Sequence, residues 1–194
     1  MAAFTQQHRR QRLRALREYL ERNPFVTDEE LARHFLVSVQ TVRLDRMALG
    51  IPELRLRLQE MARRAYERLR SVGRGEVVGE LVELELGSHA VSLLETDEAM
   101  AFERSRVVRG QLLFAQAESL ALAVIDAPAA RTRVANAKFK SEVRVGERVV
   151  ARAEVIRHPS SSEHVVLVES RAGQRPVFRG KFMIVEERGG GEAL

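Results

Sequence analysis

Arg109-Gly110 is the first place in this chain where residue type and spacing could do chemistry. It opens an almost wholly apolar, proline-free run that continues to Ile125. Strands usually run about 3 to 10 residues, so a run this long and this rich in alanine and leucine is expected to be a helix. Free backbone N–H groups and the dipole make its N-terminus attractive to anions, and glycine lets a ligand approach the backbone closely. Arginine beside it adds a planar partner for a carboxylate or phosphate. The bland alternative is a turn glycine next to a solvated arginine. Glu118 lies within the same run, where a carboxylate must be paired, open to a cavity, or functional.

The second place is the stretch from Ser38 to Leu49. Gln40, Thr41 and Arg43 are hydrogen-bonding side chains suited to base edges in a major groove, while Arg46 suits a phosphate. No HExxH, P-loop, nucleophile elbow or Asp-rich metal loop occurs, so neither a catalytic set nor a metal set is expected. Five scattered histidines form no ligand set, and His158 and His164, flanking a serine-rich turn, are expected to be solvated loop residues.

These residues need elements to hold them. From Arg9 to Asn23, Leu13, Leu16 and Leu20 recur at helical spacing, and Asn23-Pro24 ends the pattern. Thr27-Asp28-Glu29-Glu30 is a capping-box sequence before a short helix with Leu31, Ala32 and Phe35 inward. Ser38 can cap a third helix to Leu49, with Val42 and Met47 inward, stopped at Gly50-Ile51-Pro52. Two short helices joined by a tight turn, with another behind, form a helix-turn-helix unit. A helical protein-interaction domain with solvated arginines is the competing reading.

After Pro52, Leu54, Leu58, Met61, Ala65 and Leu69 make an apolar stripe on a helix whose other face is basic. Without Trp or Phe anchors it suits dimerisation or domain docking better than a membrane surface. Beyond Gly75, two partly alternating strands (76–86 and 89–94) precede the buried helix. Four more come after it, at 131–143, 148–157, 163–171 and 175–186. That order describes an α+β unit in which an antiparallel sheet encloses one helix. The expected division is 1–51, 52–75, 76–188, and a disordered tail at 189–194.

The charge is local: residues 1 to 75 carry 16 basic against 9 acidic side chains, a net of +7, and the remainder carries 16 against 18. A basic N-terminal unit on a near-neutral body points to nucleic acid or an anionic surface. Absence of cysteine excludes a disulfide framework and thiolate chemistry, and the first residues show no apolar signal region. The cytoplasm is the expected location.

The blocks Pro24–Ala32, Val37–Arg46, Ile51–Arg55, Arg109-Gly110, Leu113–Ala117 and Gly146–Ala151 resemble the FapR family of bacterial repressors of fatty-acid and phospholipid biosynthesis genes. The resemblance runs from about Arg9 to Glu186. It implies a DeoR-like helix-turn-helix of winged-helix type, an amphipathic linker helix and a hotdog domain, a curved antiparallel sheet around one long helix. It further implies a homodimer on an inverted-repeat operator in double-stranded DNA, with Ser38, Gln40, Thr41, Arg43 and Arg46 as the DNA-facing set. The effector it implies is malonyl-CoA or malonyl-acyl carrier protein, with no cofactor and no membrane partner. Arg109 would hold the malonyl carboxylate with Gly110 beside it. Phe102 would close over it on a mobile loop from Thr96 to Val108. Where the family pattern has asparagine, this chain has Glu118, which leaves open a hotdog thioesterase with Glu118 as the catalytic carboxylate.

Overall fold

The computed structural model describes residues 2–187, with side chains from His8 onward. The tail at 189–194 therefore lies outside the described residues. The chain divides into two compact units between Glu60 and Met61.

In the first unit, α1 (Ala2–Arg22), α2 (Asp28–Phe35) and α3 (Val39–Ala48) precede α4, which begins at Leu54. The spacing of Leu16 and Leu20 puts them on one face, and they pack with Leu31, Ala32 and Val42 into a small core. The expected capping box is formed. The Glu30 N–H donates to Thr27 Oγ1 (3.1 Å) and the Thr27 N–H to Glu30 Oε2 (2.8 Å). Ser38 caps α3 by accepting from the Thr41 N–H at 3.1 Å. Met47 departs from expectation: it is 73% exposed, because Leu49 and Ile51 fill the inward positions near the end of α3. The described residues of this unit contain no strand, so the wing of a winged helix is not formed. Gly50, at φ +66°, turns the chain straight toward α4.

α4 (Leu54–Tyr66) is shorter than the apolar stripe suggested, and 52–75 is not a separate unit. Its first half belongs to the helical unit through Arg57, whose Nη2 donates to the carbonyls of Pro24 (3.3 Å) and Val26 (3.1 Å). From Met61 onward the chain belongs to the second unit. There Tyr66 Oη accepts from the Leu81 N–H, and Ser71 Oγ donates to Leu122 O at 2.7 Å.

The second unit is a six-stranded antiparallel sheet. It comprises β1 (Glu80–Glu85), β2 (His89–Glu95), β3 (Ala130–Phe139), β4 (Arg148–Ser160), β5 (Glu163–Ala172) and β6 (Arg175–Glu186), in the order β1-β2-β4-β5-β6-β3. α5 (Gly110–Ala123) lies against one face, contacting β2 to β6, and its Leu113, Ala117, Leu120 and Ala121 join Val166, Val168, Phe182 and Ile184 in the core. The core is thus built by period-2 strands meeting one helix. α5 is not covered all round, as its composition led one to expect: Gln111 is exposed, and Phe114, Ala115, Glu118 and Leu122 along the same side are only partly buried. The sheet wraps one side of the helix and leaves this stripe open. β3 is the sheet edge beyond β6, with Val134 and Phe139 about half exposed.

Candidate functional site

Arg109 occupies the cap position of α5, and no side chain caps the helix there. Its N–H donates to Met100 O (2.9 Å), and its guanidinium Nε and Nη2 donate to Met100 O (3.3 Å) and Ala99 O (2.6 Å). Carbonyl partners orient a guanidinium without neutralising it. Among the described residues no carboxylate pairs with Arg109, so a full positive charge stands beside the unsatisfied N–H groups of the helix start. Gly110 is small for a visible reason: a Cβ there would lie 2.9 Å from Cε1 of Phe139, whose ring leans over the helix start and packs edge-on against Phe178. Phe139 was not legible as a site residue, since in sequence it is one more aromatic at a strand end.

The segment from Thr96 to Val108, expected to be mobile, has a hydrogen-bonded frame of its own. Phe102 N–H donates to Val107 O (2.9 Å) and Arg106 N–H to Phe102 O (2.8 Å), with Arg106 at φ +56° and its guanidinium on Glu98 at 2.8 Å. Thr96 Oγ1 ties the segment's start to Glu147 O at 2.7 Å. This frame presents Phe102, 57% exposed, on the segment that also supplies the carbonyls holding Arg109. Glu147 braces the neighbouring turn. Burial pushes its carboxyl upward, but the Arg144 N–H and the Arg175 guanidinium (2.6 Å) outweigh it and hold it below the usual carboxylate range.

Three polar residues interrupt the apolar interior of α5, and two of them make hydrogen bonds, although the buried Gln116 Oε1 has no partner among the described residues. Gln116 is fully buried, its Nε2 donating to Ser92 Oγ (3.1 Å) and to the carbonyls of Ser92 and Val149. Ser119 Oγ accepts from the Val78 N–H (3.0 Å) and donates to Gln116 O (3.2 Å). Glu118 has no hydrogen-bond or ion-pair partner among the described residues and lies on the open stripe of the helix. It stands about 12 Å along the axis from Gly110 at 1.5 Å per residue, so one chain does not bring Glu118 to Arg109.

In the helical unit, Gln40, Arg43, Leu44 and Met47 form the exposed side of α3, and Thr41 is partly exposed. Ser38 Oγ, which serves the cap, also lies 2.9 Å from Thr41 Oγ1. Arg46 is not on the exposed side. It is 6% exposed, bidentate to Asp28 (2.7 and 2.8 Å), and donates to Ile51 O, so it locks α3 to α2 instead of facing a phosphate. That hydrogen-bonded guanidinium, against the opposing effect of burial, holds the Asp28 carboxyl below its ordinary range. Asp45 plays the matching part toward α1, 2% exposed and 2.6 Å from Arg12 Nε. Neither aspartate had a sequence signal, because their partners are 18 and 33 residues away.

The histidines at the β4–β5 turn also differ from expectation. The strands extend to Ser160 and from Glu163, which places His158 Nδ1 2.9 Å from His164 Nδ1, and His164 Nε2 2.7 Å from Glu186. No group of three or more His, Cys, Asp or Glu residues suited to a metal occurs among the described residues, and no helix there is long and apolar enough to cross a membrane.

No family model matches the chain, but individual proteins do. It is 50% identical over 185 residues to a protein from Caldanaerobacter subterraneus subsp. tengcongensis named Transcription factor FapR, covering 95% of this chain and 91% of that one. Proteins of the same name from Thermoanaerobacter sp. (50%, 90% of this chain and 87% of that one) and Exiguobacterium sibiricum (45%, 91% and 93%) are similar at comparable coverage. Among solved structures, a sigma28-regulated virulence protein from Campylobacter jejuni matches 66% of this chain and 91% of its own with TM-score 0.61 at 19% identity. An uncharacterized protein from Pyrococcus horikoshii matches 58% and 85% with TM-score 0.55 at 26% identity. These likenesses establish that the second unit has the hotdog fold.

Proposed function

The chain belongs to the FapR family of transcription factors, and from that premise we propose that it is a DNA-binding repressor of fatty-acid and phospholipid biosynthesis genes, released from its operator by a malonyl thioester bound to the hotdog unit. The carrying observation is the start of α5. There a guanidinium oriented by two backbone carbonyls and unpaired with any described carboxylate meets an uncapped helix N-terminus. That arrangement suits a small carboxylate on a thioester, with Arg109 as the charge partner, Gly110 leaving the N–H groups open, and Phe102 and Phe139 as apolar cover. The working form is a homodimer. The unpaired edge of β3 and the open stripe of α5 are the surfaces that call for a second copy.

On the DNA side, Gln40, Thr41 and Arg43 approach base edges while Arg46 keeps α3 in place. Effector binding changes operator affinity only if the two arrangements of the dimer differ in affinity for the thioester. A coupling of about 3 kcal/mol weakens operator binding roughly 150-fold. A hotdog thioesterase is the second reading, and it rests on Glu118 alone, a partly buried carboxylate with no partner among the described residues. The test is Arg109→Ala: the variant binds operator normally and ignores malonyl-CoA. Normal release by the variant would remove the assigned site, and release of free CoA abolished by Glu118→Gln would change the class to enzyme.

A further inference from the structure

The exposed side of α3 carries an apolar pair that DNA recognition by polar side chains does not use. Leu44 is 53% and Met47 73% exposed, and with Gln40 and Arg43 they occupy positions i, i+3, i+4 and i+7 of one helix face. Single exposed apolar residues on a surface need no explanation. Two on one turn-to-turn stripe, continuous with an amide and a guanidinium, form an ordered mixed surface. The inward positions of α3 are already filled by Val42, Asp45 and Arg46, so repacking cannot draw this pair into the core of its own unit. The two ion pairs, Arg46 to Asp28 and Arg12 to Asp45, fix the rotation of the helix that points the stripe outward.

A duplex offers an apolar counterpart in the major groove only as the 5-methyl group of thymine, and aliphatic side chains read it by contact. We propose that Leu44 and Met47 are specificity-determining residues that cover thymine methyls in the operator, next to the bases read by Gln40 and Arg43. This rests on the reading of the first unit as DNA-binding. The stripe then selects A·T pairs at the positions beneath Leu44 and Met47, where the amide and guanidinium alone would leave the choice to neighbouring bases. The occupant is double-stranded DNA because the apolar pair is continuous with base-reading side chains on a basic unit. A protein partner on the same stripe is the contrary outcome.

The experiment uses the full chain and a duplex selected by it from a random pool, resynthesised with deoxyuridine in place of each thymine in turn. Removing one contacted methyl is expected to weaken binding about fourfold, the worth of one buried methyl-sized group. Leu44→Ala or Met47→Ala should weaken the thymine duplex by at least as much, with an unchanged melting temperature. The deciding result is the coupling: at one thymine the alanine variant shows no further loss on the deoxyuridine duplex. Specific binding with losses that simply multiply at every thymine, or with none, overturns this inference and leaves the repressor reading in place. Equal affinity for selected and random duplex overturns both.

Discussion

Arg43 and Arg46 sit one turn apart on α3 and have opposite roles, which only their surroundings reveal. Arg43 is about half exposed and 3.6 Å from Asp28, while Arg46 is buried in a bidentate pair with the same carboxylate. Breaking a buried pair leaves an uncompensated charge, so Arg46→Ala is expected to cost about 3 kcal/mol of stability in denaturant unfolding. Arg43→Ala should stay within about 0.5 kcal/mol of the parent and lose affinity for specific duplex. Matching stability losses in the two variants would contradict this division. The same pair sets an acid limit. The Asp28 carboxyl is depressed in the folded state, so its contribution is present at neutral pH and lost as pH falls below about 3.9, the unperturbed value, toward the folded one. Thermal unfolding of the helical unit should drop in that window, and Asp28→Asn should flatten the drop. In the sequence, Gln40, Arg43 and Arg46 all look available to DNA, the first two for base edges and the last for a phosphate. What separated them was the long-range partner of Arg46, which no local spacing encodes.

At the scale of elements, the strand and helix order was largely legible because two periods, 2 for the strands and 3.6 for the helices, alternate along the chain with turn residues between them. Three points were not. The apolar stripe continued past Tyr66, where the helix ends, because Leu69 and Val72 still pack on the second core. A helix apolar on most sides was expected to be wholly buried, yet Gln111, Ala115, Glu118 and Leu122 form a side that the chain's own sheet does not cover. And the pattern of β3 could not tell an edge strand from an inner one. If β3 and that side of α5 meet a second copy, Val134→Lys, placed on the edge strand, should shift sedimentation toward the monomer while leaving the far-ultraviolet circular dichroism unchanged. An unchanged dimer would place the interface elsewhere.

For the whole molecule, the two units divide the work. The helical unit has a small core held by Leu16, Leu20 and Leu31 and two ion pairs. The hotdog unit holds the large core and the uncapped start of α5. Composition showed that the chain has two parts but put the boundary too late, because the basic run continues to Arg74 while the second unit begins at Met61. The placement of Arg109-Gly110 at the start of a helix was also legible, from the long apolar run that follows it. Phe139 and the carbonyls of Ala99 and Met100 were not, because they reach the start of α5 only through the folded sheet and the turn before it. In the proposed function, repression and release depend on one linkage: a carboxylate-bearing thioester at the start of α5 would lower the affinity of α3 for DNA. Titrating an operator-bound sample of the full chain with malonyl-CoA, acetyl-CoA and free CoA tests it most directly. The malonyl form alone should release the DNA, whereas equal release by acetyl-CoA, or none by any of the three, would contradict it.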